Sequence, residues 1–161
     1  EMLRSLVGSE MCIRDRMKMN NKYDKLKLEN QLCFPLYAAA KEIVRQYKPF
    51  LDRLDMTYTQ YIAMMVLWEH REVTVKELGE YLYLDSGTLT PLLKTMEKKG
   101  WVERNRSKED ERVLIVTITE VGDKLKEKAV CVPEQMAGCI HLEKEEAIQL
   151  YQLLYKILGK F

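Results

Sequence analysis

Residues Asp85 to Thr119 constrain the fold of this chain more than any other stretch. They read DSGTLTPLLKTMEKKG and then WVERNRSKEDERVLIVTIT. In the first part Leu89, Leu92, Leu93 and Met96 recur at helical spacing, and Gly100 stands where a helix stops. Short polar side chains, Asp85, Ser86, Thr88 and Thr90, crowd the opening turn and leave the apolar stripe to the leucines. In the second part Trp101 to Arg106 and Val113 to Thr119 have strand character. The second of these sets Val113, Ile115 and Thr117 against Leu114, Val116 and Ile118, so both faces are expected to be covered. The charged run Asn105 to Arg112 joins the two strands as a hairpin tip.

Upstream, the order of elements limits what this stretch belongs to. Leu28 to Leu51 carries Leu28, Leu32, Leu36, Ala39, Ile43, Tyr47 and Phe50 at steps of three or four, which predicts a long first helix. Pro35 belongs in its first turn or kinks it, and Pro49 marks its end. Thr57-x-x-Gln60 and Thr74-x-x-Glu77 are capping boxes, opening helices over Thr57 to Glu69 and Thr74 to Tyr83. The latter, with Leu78 and Leu82 inward, is separated by a tight turn from the helix that begins near Asp85. Two helices so joined, followed by a two-stranded ribbon with a basic tip, form the pattern of a winged helix-turn-helix. In that unit a helix enters the DNA major groove and the tip reaches the backbone or minor groove. The competing reading is a solvated helix and hairpin of an ordinary α+β domain.

Downstream, Thr119 caps a fifth helix through Val121, Leu125 and Ala129, which Pro133 interrupts or kinks. The last helix, Glu143 to Lys160, carries Ala147, Leu150, Tyr151, Leu154, Ile157, Leu158 and Phe161, with acidic residues in its first turn. The first and last helices are thus apolar elements that need partners, and a two-fold dimer supplies them. The expected fold is mainly α with a small β-wing: a winged helix-turn-helix over residues 57–119 and a helical dimerisation region from 28–51 and 120–161. Residues 17–161 are read as one domain. Residues 1–16, EMLRSLVGSEMCIRDR, do not fit the pattern of the remaining chain and resemble a translated vector leader, with a native start expected at Met17 or Met19.

Composition restrains the function. The net charge is only +1 although 32% of residues are charged, which argues against indiscriminate coating of nucleic acid but leaves a specific binder open. Between Lys94 and Arg112 seven basic residues meet five acidic ones. The four cysteines, Cys12, Cys33, Cys131 and Cys139, lack CxxC or Cys/His spacing, so neither a metal nor another cofactor is expected. No apolar run is long enough to span a membrane, and the cysteine usage suits a reducing cytoplasm.

Cys33, in Leu32-Cys33-Phe34-Pro35-Leu36-Tyr37, stands near the start of the first helix, where a thiol tends toward thiolate; its plainer role is packing. Tyr37 and Tyr47 share its helical face, but Tyr47 lies about 21 Å along the helix at about 1.5 Å per residue, so it meets Cys33 only across an antiparallel dimer contact. Tyr58, at the start of the second helix, joins from the same direction. A phenol there can donate a hydrogen bond to a thiolate.

The runs KLENQLCFPLYAAAKEIVRQYKPFLDRLDMTYTQY, LWEHREVTVKELGEYLYLDSGTLTPLLKTMEKKGWVERNRSKEDER and KEKAVCVPEQ together resemble the MarR family and, within it, the organic-hydroperoxide-sensing repressors. The resemblance covers nearly everything from Lys25 onward and is most specific in NQLCF and LYLDSGTLTP. It implies a homodimeric repressor in which Cys33 senses peroxide, with Tyr47 and Tyr58 of the other subunit bonding its thiolate. It also makes Asp110 and Arg112 the acidic and basic pair of the wing. It favours Cys139, then Cys131, as a resolving thiol, against a mechanism that uses Cys33 alone. Pro35 departs from the family pattern. The DNA-reading set is Asp85, Ser86, Thr88, Thr90 and Lys94 on the helix and Arg106, Asp110 and Arg112 at the wing. The expected partners are a palindromic double-stranded operator, a second copy of the chain and an organic hydroperoxide effector. Two other functions compete: a regulator of the same fold that binds a small aromatic ligand at the dimer crevice, and a thiol peroxidase. The latter lacks the Thr/Arg support of a peroxidatic cysteine.

Overall fold

The first long helix, α1, is Cys33–Leu51, five residues shorter at its start than the periodicity predicts. Pro35 explains the difference. It has no N–H to give the carbonyl four residues back, and its ring would crowd that carbonyl, so it is accepted only in the first turn. Leu28–Asn30 and Asp24–Leu26 are instead short 3-10 turns. Pro49, expected at the end, lies inside α1, which continues to Leu51. The computed structural model describes residues 21–159, and the expectations for residues 1–16, Met17, Met19, Cys12, Lys160 and Phe161 fall outside them. The described residues form two compact units that divide within α1, between Ile43 and Val44.

Up to Ile43 the chain buries little. Leu28, Leu32, Phe34, Leu36 and Tyr37 are all exposed, and none of the described residues there is buried. Its internal ties are polar: the Asn30 side-chain amide donates to the Asp24 carbonyl at 2.7 Å, and Lys27 pairs with Asp24 at 2.7 Å.

From Val44 onward the chain builds the core. Helix α2 (Tyr58–His70) and helix α3 (Val75–Leu82) both open on complete capping boxes, from Thr57 and Thr74, as predicted. Strand β1 (Glu72–Thr74) lies between them. The turn after α3 is tight: Tyr83 takes a left-handed conformation, φ 54°, and the Leu84 N–H bonds back to the Gly79 carbonyl. A Cβ on Gly79 would sit 2.7 Å from the Leu84 carbonyl oxygen, so only glycine lets the turn close this far. Helix α4 (Ser86–Lys98) follows, then β2 (Val102–Arg106) and β3 (Leu114–Ile118). The sheet order is β1-β3-β2, antiparallel throughout, with Val73 opposite Val116 and Arg104 opposite Val116 on the other side. Val116 and Ile118 are buried, whereas Leu114 on the same face and Val113, Ile115 and Thr117 on the other are only half-buried, so β3 is fully covered on one face only toward its end.

The core gathers Tyr61, Met64 and Leu67 of α2, Leu78 of α3, Leu89, Leu93 and Met96 of α4, and Trp101, Val102 and Val116 of the wing root. Trp68 donates its indole N–H to the Gly122 carbonyl at 3.0 Å, pinning α5 (Glu120–Ala129) to α2. Thr119 caps α5 as expected, but Val121, placed in its apolar stripe by spacing, is exposed, and Gly122 is buried instead. Pro133 does end the pattern. A separate short helix, α6 (Val132–Ala137), starts with Pro133 in its first turn. Cys131 and Cys139 therefore lie on either side of α6, not within one fifth helix. The last helix, α7 (Lys144–Ile157), is capped by Glu143 and Glu146 and buries no residue. No helix among the described residues is long and apolar enough to cross a membrane.

Candidate functional site

Helix α4 divides cleanly into two faces. Leu89, Leu93 and Met96 are at most 1% exposed and anchor it, while Ser86, Thr88, Thr90 and Lys94 point to solvent. Asp85 is the N-cap: its carboxylate accepts the Thr88 N–H at 2.8 Å, which holds its pKa below the ordinary carboxylate value. The threonines are not bare donors. Thr88 donates its hydroxyl to Asp85 at 3.4 Å, and Thr90 donates to the Ser86 carbonyl at 2.7 Å. Each hydroxyl keeps acceptor lone pairs outward, and each methyl remains available to an apolar base edge. The Lys94 ammonium makes no ion pair or hydrogen bond among the described residues.

The wing tip is closed by its own side chains. The Ser107 N–H bonds the Val113 carbonyl at 2.9 Å, and the Asp110 carboxylate accepts the Arg112 backbone N–H at 2.9 Å. Asp110 thus shapes the tip through the backbone, and no Asp110–Arg112 side-chain ion pair occurs among the described residues. The Arg106 guanidinium folds back onto the Glu111 carbonyl. Of the two candidate arginines, Arg112 is the one left to reach outward. It borders a groove of about 970 Å³ together with Thr74, Glu77, Tyr83, Ser86 and Leu89, so the start of α4 and the wing face one space.

Within the second unit, Tyr47 and Tyr58 meet with ring centroids 4.9 Å apart. Tyr61 of α2, which is not among the sequence-derived candidates, joins them, 6.0 Å from Tyr47. Burial raises the pKa of all three phenols. Tyr58 adds to the shift of Tyr47, and Tyr47, Tyr58 and Cys131 add to that of Tyr61. They are therefore protonated and able to donate at neutral pH. Cys33, the first residue of α1, and Tyr37 are exposed and belong to the other unit. Cys131 is exposed and Cys139 half-buried, with their thiols directed to the Lys128 and Gln135 carbonyls. A second pairing that spacing does not disclose is Arg104 with Glu97, which ties β2 to the last turn of α4 at 2.6 Å.

A capped, half-exposed helix set beside a two-stranded wing on one core is a winged helix-turn-helix. Comparison with known proteins agrees. Residues 45–129 match the family model described as "Transcriptional regulator SarA/Rot". The chain is 54% identical to the organic hydroperoxide resistance transcriptional regulator of Bacillus subtilis, over 87% of this chain and 95% of that one. It is similar to reduced AbfR bound to DNA, with a TM-score of 0.69 and 35% identity, over 86% of this chain and 97% of that one. Disulfide-formed AbfR matches with a TM-score of 0.58 at 35% identity, over 85% of this chain and 96% of that one; AbfR comes from Staphylococcus epidermidis. The chain belongs to the MarR-type family of winged helix-turn-helix transcriptional regulators.

Proposed function

We propose that this chain is a redox-sensing repressor that binds a palindromic operator as a homodimer and leaves it when an organic hydroperoxide oxidises Cys33. The observation that carries the reading is the pair of half-buried, protonated phenols of Tyr47 and Tyr58, 4.9 Å apart. Two such donors can stabilise a thiolate brought to them by a second copy of the chain. The second copy is supported by the apolar side chains left exposed on both terminal helices, Phe34 and Leu36 on α1 and Leu153 and Ile157 on α7. The names of similar proteins support the effector and the redox chemistry: a hydroperoxide-resistance regulator, and AbfR in reduced and disulfide forms.

In this reading the Cys33 thiolate attacks the terminal oxygen of the hydroperoxide. The S–O bond forms as the O–O bond breaks, and the alkoxide leaves and is protonated to the alcohol, giving a sulfenic acid. A second thiol then displaces hydroxide from that sulfur, which departs as water, leaving a disulfide. Cys139 is the first candidate for the second thiol and Cys131 the next, with a small external thiol as the one-cysteine route. On the operator, Ser86, Thr88, Thr90 and Lys94 face the major groove and Arg112 the minor groove. A gel shift on promoter DNA, with and without cumene hydroperoxide and followed by mass spectrometry of the cysteines, tests the whole sequence. Cys33→Ser is expected to bind and to ignore peroxide. Peroxide-driven release of Cys33→Ser would overturn the sensor assignment, and release by a small aromatic ligand alone would favour a ligand-responsive regulator.

A further inference from the structure

Arg104 joins the wing to the reading helix. Its Nη2 donates to Glu97 Oε2 at 2.6 Å and its Nε to the same oxygen at 3.1 Å, with only 18% of the Arg104 side chain exposed. Glu97 stands in the last turn of α4 and Arg104 in the middle of β2. Between them the chain reverses at Gly100, whose φ of 71° is left-handed. The tip beyond is stiff in itself, through the Ser107–Val113 and Asp110–Arg112 bonds and the Arg106–Glu111 closure. The β2–β3 ladder runs unbroken from Val102 opposite Ile118 to Arg106 opposite Leu114. Helix and wing root share one core through Met96, Trp101 and Val102, and the chain crosses from one to the other over the joint segment 99–101, beyond which the wing projects past that core.

Angular play at that joint is magnified outward. Five strand residues at about 3.3 Å each place the end of β2 about 17 Å from the joint. A rotation of about 6° there displaces the wing end by about 2 Å, a third of a minor groove about 6 Å wide. A guanidinium with two donors on one carboxylate oxygen resists that rotation, because both bonds bend together.

We propose that Glu97 and Arg104 form a positioning strut that sets the angle between reading helix and wing, so that α4 and Arg112 engage the same operator half-site at once. Arg104 acts through Arg112: its Nε and Nη2 are engaged by Glu97, and its side chain is mostly buried. The proposal rests on the DNA-binding reading above.

The test uses the full reduced chain and a duplex that the parent selects from a randomised pool. The sign of the effect separates the strut from plain electrostatics. Glu97→Met removes a negative charge from the DNA-facing module, which on charge alone tightens binding. The strut predicts weaker binding by roughly five- to 150-fold, the usual span of a lost specific contact. Hydroxyl-radical protection is then expected to vanish at the flanking minor-groove positions and to persist at the half-site centre. Arg112→Ala is expected to weaken the parent by a similar factor and to cost nothing further in the Glu97→Met background. Arg104→Lys keeps the charge and the stem and loses the fork, giving the same flank loss in smaller measure. It is read in place of Glu97→Met if thermal melting shows that variant unfolded. Unchanged flank protection in a folded variant, or additive costs with Arg112→Ala, overturns the strut. If the parent enriches no duplex at all, the DNA-binding reading itself falls, and the strut with it.

Discussion

The segment from α2 to β3 and the helix α7 are both rich in apolar residues, yet they use them in opposite ways. In the former, Met64, Leu67, Leu78, Met96 and Val116 have no exposed surface. In α7, Ile148, Leu150, Tyr151, Leu153 and Ile157 are between 42% and 64% exposed. The first region satisfies its hydrophobic pattern within one chain, and the second carries the same kind of pattern outward. A helix whose apolar stripe stays largely exposed forfeits much of the burial that normally stabilises helices in proteins. The difference separates what the chain buries within itself from what it leaves exposed.

Four changes sharpen or break that contrast. The largest effect is expected from Leu93→Ala, which empties part of the core under α4 and costs about 2–5 kcal/mol, read from denaturant unfolding. Next, Trp68→Phe strands the Gly122 carbonyl and should cost about 1–3 kcal/mol. Thr74→Ala removes a capping box from α3 and should cost about 0.5–2 kcal/mol. Leu153→Ser in α7 should leave unfolding at low protein concentration within about 0.5 kcal/mol while abolishing any rise of Tm with concentration. A core-sized loss from Leu153→Ser at low concentration would mean that α7 is buried within the chain, and the contrast would collapse.

A smaller effect concerns pH. Arg104 holds the Glu97 carboxyl below its ordinary value of 4.5. A carboxyl so depressed contributes stability above the unfolded value and loses it as pH falls through the lower folded one. The acid limb of a Tm-versus-pH curve should therefore be shallower in Glu97→Gln, with the two curves parallel above that window. Curves that stay parallel through the acid limb would remove the pair from the stability of the wing.

Local chemistry is legible wherever it is decided within a few residues. Thr57-x-x-Gln60 and Thr74-x-x-Glu77 announce both caps, and the leucines at 89 and 93 announce the buried face of α4. Strand β1 is not legible, because Glu72–Thr74 is too short to alternate and exists through pairing with β3 more than forty residues away. The meeting of Tyr47 with Tyr58 and Tyr61 is not legible, because the rings come from different helices. The Glu97–Arg104 pair spans a chain reversal, so seven residues of separation carry no signal of contact. Whether Cys131 and Cys139 share a helix is not legible either, because Pro133 can either kink a helix or begin a new one, and the local sequence does not choose.

The placement of Trp68 and Trp101, the chain's two tryptophans, has an optical consequence. Trp68 sits edge-on to Tyr61 at 6.3 Å, and Trp101 lies at the joint between α4 and β2 with the Lys99 ammonium 4.5 Å from its ring centre. Both indoles are at most 9% exposed, whereas the fluorophores of α7 are the paired phenols Tyr151 and Tyr155. Light absorbed only by indole therefore reports on the core between α2 and β2, whereas the emission of Tyr151 and Tyr155 is mixed with that of seven tyrosines elsewhere in the chain. Indole emission thus follows one side of the contrast alone, because α7 carries no tryptophan.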